Sequence, residues 1–181
     1  MNDGGLIGIF LQNLPVLVVV IPLLLAPILA IITAPRVAWA VSVAGIGSAF
    51  LAAILLQSIT ESIGRVTYHL GNWEPPWGIE FVVDSATSLT LLIMTGLAFL
   101  VTLYARASLL AEIKHTDLGK CYAAWLLASG GLFGLVATGD AFNLFVFLEI
   151  SALSSAILIS MGAGADRRAL SAGFNYLLIG A

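Results

Sequence analysis

The chain has little charge. Its 181 residues include only seven Lys or Arg and ten Asp or Glu, 9% against the roughly 25% of an ordinary soluble domain. A formal net charge of −3, spread along the chain, gives no basic face for nucleic acid. There is one cysteine, Cys121, so no internal disulfide can form, and with no ligand set beside it no metal or redox centre is expected there. A small buried thiol is the expected reading, and no cofactor or metal is implied. The start, MNDGGLIG, lacks the basic residues of a secretory signal, and the apolar stretch behind it is too long and too proline-rich for one. A retained first helix is expected. No fixed-period repeat is visible.

What is there instead is hydrocarbon. Hydrophobic residues make up 60% of the chain and mean hydropathy is +1.07, which identifies an integral membrane protein. The pattern predicts an all-α polytopic helical bundle, with five full transmembrane helices over about 14–33, 37–58, 85–104, 121–138 and 141–161. A sixth apolar segment starts at 169–181, and its thirteen residues are fewer than the roughly 20 a span needs. Pro15, Pro22 and Pro27 lie in the first segment and predict a kinked helix, since proline removes backbone donors and crowds the preceding turn. The second is rich in Ala, Gly and Ser, which favours close helix approach.

Residues 61–84 differ in kind. RVTYHLGNWEPPWGIEFVVD alternates apolar and polar positions around a turn-rich centre, the pattern of a short extracytoplasmic β-hairpin. Trp73 and Trp77 suit the headgroup level, and Asp84 is placed to cap the third helix. On that helix Ser88, Thr95 and Thr102 recur every seven residues, a stripe that reads as helix packing, with a hydrated path as the alternative. Residues 105–120 read as a loop or short surface helix. Gly130 and Gly134 form a small-xxx-small pair on the fourth span. Gly139 and Asp140 leave room only for a tight turn into the fifth.

Arg36, Arg106, Lys114, Lys120, Arg167 and Arg168 fall in one set of loops and Arg65 alone in the other. The bias of basic residues toward the cytoplasm then puts the N-terminus and the hairpin, with Glu61, Glu74, Glu80 and Asp84, outside the cell membrane.

The fifth span, TGDAFNLFVFLEISALSSAILISM from Thr138 to Met161, carries one charge in its middle, Glu149. An ionised carboxylate there costs on the order of 3 kcal/mol on insertion scales, so the group must be protonated, paired or wetted. At 100° per residue Asp140, Asn143, Ser151 and Ser154 fall opposite Glu149, while Phe142, Phe145, Val146, Ala152, Leu153 and Ala156 surround it. Hydrocarbon favours the protonated acid and an approaching cation favours the carboxylate, which makes a proton switch. The plainer reading is a static interhelical contact. No Lys or Arg of the chain is placed to pair with it. Asp140 reads as a helix cap or an entry to a proton path, Asn143 and Thr95 as further candidates for that path, and His69 and His115 as solvated loop residues.

Two stretches together, LGNWEPPWGIEFVVDSATSL and TGDAFNLFVFLEISALSS, resemble the antiporter-like membrane subunits of respiratory complex I and, more closely, the D-type subunit of the multisubunit Mrp cation/proton antiporters. The resemblance covers nearly the whole chain. It implies that Glu149 is the proton-handling acid, working with a lysine on a later, broken helix, in a protein of about fourteen helices built largely from two inverted five-helix units. Residues 1–181 would be its N-terminal part: three leading helices and less than half of the first unit, ending before the lysine helix. Many relatives carry a basic residue where Asn175 precedes Tyr176. The implied partners are membrane lipid and other subunits of an antiporter or complex I-like assembly, with protons and Na+ as cargo and no nucleic acid. A complex I-like or hydrogenase subunit is the near alternative. A non-transporting scaffold or inactive fragment is the alternative of another class, and a quinone pocket beside Trp73 and Trp77 rests on the aromatics alone.

Overall fold

The computed structural model describes residues 12–73, 77–162 and 167–180. Met1 to Leu11, Glu74, Pro75, Pro76, Ala163 to Asp166 and Ala181 lie outside them, and with them the start of the expected N-terminal segment, the centre of the hairpin loop, most of the loop before Arg167 and the last residue of the expected sixth segment.

Among the described residues five helices are long and apolar enough to cross a membrane: α1 (Leu14–Ile31), α2 (Pro35–Ile63), α3 (Ser85–Glu112), α4 (Leu118–Ala137) and α5 (Ala141–Met161). The shorter α6 (Arg168–Gly180) follows. Strands β1 (Arg65–His69) and β2 (Glu80–Asp84) pair antiparallel between α2 and α3, with Arg65 opposite Asp84 and His69 opposite Glu80. The hairpin and the five spans are thus those of the sequence pattern. Three boundaries differ. α2 runs to Ile63, so Glu61 sits on its last turn rather than in the hairpin; Arg36 lies in its first turn; and α3 continues to Glu112 through residues expected to leave the helix.

Both extensions have one cause. Charged residues near a helix end reach out of the membrane with their heads while the backbone stays helical. α2 stops only at Gly64, whose φ of 87° is left-handed and therefore suits glycine. α3 starts where expected, with Asp84 accepting from the Thr87 N–H at 2.8 Å. α1 holds Pro15 in its first turn and keeps Pro22 and Pro27 inside one continuous helix.

The core lies where α4 meets α1, α2 and α3. Leu14, Val18, Leu29, Ile46, Leu56, Leu91 and Leu126 are fully buried there. Outward, Leu24, Leu51, Leu97, Leu100 and Leu153 are at least half exposed, the apolar belt a lipid environment requires. Small residues set the approaches. The Phe99 ring lies over Gly47 and the Phe50 ring over Gly96, and the two rings stack at 5.9 Å between centroids, locking α2 to α3. Gly130 meets Leu23 and Pro22 of α1, whereas Gly131 and Gly134 meet Ser151 and Phe147 of α5. The expected pair of small residues four apart therefore serves two different neighbours. Its glycines are spent inside the chain rather than on an outer docking face.

Candidate functional site

Ser88, Thr95 and Thr102 are fully buried, as their stripe predicts, and each bonds within the bundle. Ser88 reaches Thr60 and Gln57 of α2 at 2.8 and 2.7 Å. Thr95 donates back to the Leu91 carbonyl of its own helix at 2.7 Å. Thr102 donates to the Ala98 carbonyl at 2.7 Å and accepts the Trp125 indole N–H at 2.8 Å. These are packing contacts with satisfied polar atoms.

The turn Thr138–Asp140 orders the start of α5. The Asp140 carboxylate accepts from the Phe142 and Asn143 N–H groups at 3.3 and 3.1 Å, satisfying helix donors that have no partner in the first turn. Asn143 is buried, and its side-chain amide donates to the Thr138 hydroxyl at 3.1 Å. The hairpin closes over this turn. The Gly139 N–H donates to the Glu80 carbonyl at 2.9 Å, Phe81 bridges Thr138, and the Phe81 ring tilts against Phe147 at 6.2 Å. Neither the latch nor Gly131 was legible as part of the site, because both depend on which segment folds over the turn.

Glu149 is the ninth of the 21 residues of α5, about 12 Å along a helix that rises about 1.5 Å per residue. It is half-buried. Phe147 and Ser154, on the opposite side of the helix, are buried, whereas Phe142, Phe145 and Leu153 on its own side are 72%, 60% and 50% exposed. Glu149 therefore looks away from α4, along a face that is apolar and open toward the start of α5 but covered further along, where Ala156 is buried and Gly173 of α6 packs against it. Among the described residues the Glu149 carboxylate has neither a hydrogen bond nor an ion pair. The structure brings Asp140 and Asn143 together at the mouth of α5 but leaves Thr95 apart from them, on α3, with α4 packed between α3 and α5.

His69 is no loop residue: it stands on β1, half-buried, 3.4 Å from Glu80. His115 does lie in the loop between α3 and α4. Trp73 and Trp77 are 66% and 87% exposed and stand outward, as rings at an interface do. Cys121 is buried, as the composition predicts.

No protein-family model matches the chain. Across 173 residues, 93% of the chain, it is 38% identical to the N-type subunit of the NADH-quinone oxidoreductase of Desulforudis audaxviator. It is 36% identical over 116 residues to the D-type subunit of a probable K(+)/H(+) antiporter of Rhizobium meliloti, and 32% identical over 157 residues to the D-type subunit of the Na(+)/H(+) antiporter of Bacillus subtilis. These matches cover 64% and 84% of the chain. Among solved structures it superposes on a chain of the Mrp complex of Dietzia with a TM-score of 0.74 and 27% identity, over 90% of its own length. A chain of the membrane-bound sulfane sulfur reductase, an archaeal respiratory complex, matches with a TM-score of 0.78 and 25% identity over 92%. The chain belongs to the antiporter-like membrane-subunit family.

It spans 33%, 20% and 30% of the three relatives and 31% and 34% of the two structural neighbours. Within this antiporter-like protein, the two stretches that carry the resemblance are the two that meet in space: β2 closes on the turn that begins the Glu149 helix.

Proposed function

We propose that residues 1–181 are the N-terminal part of a proton-translocating subunit of a cation:proton antiporter, and that Glu149 is the acid that takes up and releases the proton. The protein lies in the cell membrane with its hairpin and N-terminus outside, beside other subunits of a multisubunit assembly. The observation that carries this reading is a mid-span carboxylate without a hydrogen bond or ion pair among the described residues, half-buried on an apolar face. Such a group is expensive unless something answers it. A cation brought up by a further helix or subunit would hold it ionised, and withdrawal of that cation would return it to surroundings that favour the neutral acid. Alternate approach and withdrawal move a proton. Asp140 and Asn143, at the outer mouth of α5, are the proposed entry, and Thr95 would join the path only through water.

The test is Glu149→Gln in the complete assembly, reconstituted in vesicles with a pH-sensitive dye inside. Proton flux is expected to vanish while the subunits still purify together. Flux at the wild-type rate would overturn the role.

The 38% identity to an N-type subunit of NADH-quinone oxidoreductase favours a second reading, in which the same carboxylate serves a quinone-linked translocase. Replacing external Na+ and K+ by choline separates the two. An antiporter loses its proton flux, whereas a redox-driven pump keeps it.

A further inference from the structure

At the end of the bundle away from the hairpin, a cavity of about 380 Å³ opens between the start of α2, the last turns of α3 and the start of α4. Pro35, Arg36, Arg106, Leu110, His115 and Leu118 line it. We propose that it holds the phosphate headgroup of an anionic phospholipid.

Charge is the first argument. Arg36 and Arg106 both belong to its lining, and among the described residues no acid does. The two described carboxylates nearest along the chain are engaged elsewhere: Glu112 accepts from Ser108 at 3.3 Å and Asp117 pairs with Lys120 at 3.0 Å. Two guanidinium groups on one cavity form the donor set that grips a phosphate, since each presents a planar fork to its oxygens. Arg106 is also pre-positioned, its guanidinium 4.8 Å over the Trp39 ring, while the Trp39 indole N–H is tied to the Thr102 carbonyl at 3.1 Å. Tyr122 and His115 line the cavity as well.

Depth is the second. α3 has 28 residues, about 42 Å of helix against a hydrocarbon core of about 30 Å. With Ser85 at one interface, Arg106 lies roughly 32 Å away at the other, the level of headgroups. Arg36, second residue of α2, sits at the same end.

The walls decide between a lipid and a free anion. Pro35, Leu110 and Leu118 are apolar, and the neighbouring outer surface continues apolar through Ile31, Val37 and Leu103, which are 82%, 49% and 40% exposed. An acyl chain can leave along that surface while its phosphate stays between the arginines. Basic pockets between helices at a membrane end bind acidic headgroups by this combination.

The experiment uses the full-length protein in nanodiscs of equimolar phosphatidylglycerol and phosphatidylcholine, extracted into mild detergent, with the retained lipid counted by native mass spectrometry. Arg36→Gln and Arg106→Gln are each expected to lower retained phosphatidylglycerol about tenfold, the effect of one charge-assisted contact, with phosphatidylcholine unchanged. Leu110→Trp, which fills the cavity and leaves the charge intact, is expected to lower it as well, so the proposal survives a misfolded arginine variant. Undiminished phosphatidylglycerol in these variants would overturn the site. Displacement of the lipid by inorganic phosphate at matched concentration would overturn the lipid as occupant.

Discussion

The Gly139 N–H donates to the Glu80 carbonyl at 2.9 Å, so the turn that opens the Glu149 helix is bonded to the hairpin. Space around Gly139 is tight as well: a Cβ there would stand 2.5 Å from the Val82 side chain. Gly139→Ala should therefore destabilise the protein by about 1–3 kcal/mol, the usual range for overpacking. Val82→Ala in the same chain should recover most of the loss, because the two sites share one contact. Thermal unfolding of the four variants of this cycle in detergent reads both effects.

Gly134 makes the corresponding contact between helices. An added Cβ would meet the Phe147 ring at 2.5 Å, while at Gly162 it would meet, among the described residues, the Ala169 Cβ at an ordinary 3.5 Å. Gly134→Ala is expected to lower stability by about 1–3 kcal/mol and Gly162→Ala to change it little or raise it by about 0.4–1 kcal/mol. An equal response at both positions in thermal unfolding would contradict the packing described.

Thr102 and Thr95 carry the same side chain and should behave differently. Thr102→Val strands the Trp125 indole N–H, which has its partner at 2.8 Å, and should cost about 1–3 kcal/mol. Thr95→Val removes only bonds to its own helix and should be nearly neutral for stability. A proton flux that falls in Thr95→Val while stability holds would place its hydroxyl on the path after all.

Asp84 sets an acid limb on stability. The Thr87 N–H that its carboxylate accepts holds its pKa below the ordinary 3.8. A folded pKa below the unfolded one means that the stabilisation is full above the unfolded value and is lost as pH falls through the folded one. Melting temperatures of wild type and Asp84→Asn should differ at neutral pH and begin to converge only as the pH falls below 3.8.

Much of this was readable because hydrocarbon imposes simple lengths. The spans, the hairpin, both aspartate caps and the place of Glu149 along its helix follow from apolar runs, turn residues and acceptors before helices. What was not readable depended on neighbours. Arg106 marked the end of a span in sequence, yet Trp39 from another helix holds its guanidinium inside the last turns of α3. Gly130 and Gly134 are four residues apart, which puts them on adjoining parts of one helix face, but α1 and α5 divide that face between them. His69 looked like a loop residue until pairing with β2 set it against Glu80.

The junction between α4 and α5 is three residues long, Thr138 to Asp140. A connection that short, fastened at its middle to β2, opposes independent sliding of the two helices: a one-residue axial slip of α5 would pull on the Gly139 bond and on the bridge between Phe81 and Thr138. The carboxylate of Glu149 is thus carried on a fixed post. In the proposed proton switch, its exchange of partners would come from side-chain rotation or from the approach of a body outside this pair, not from a piston stroke of its own helix.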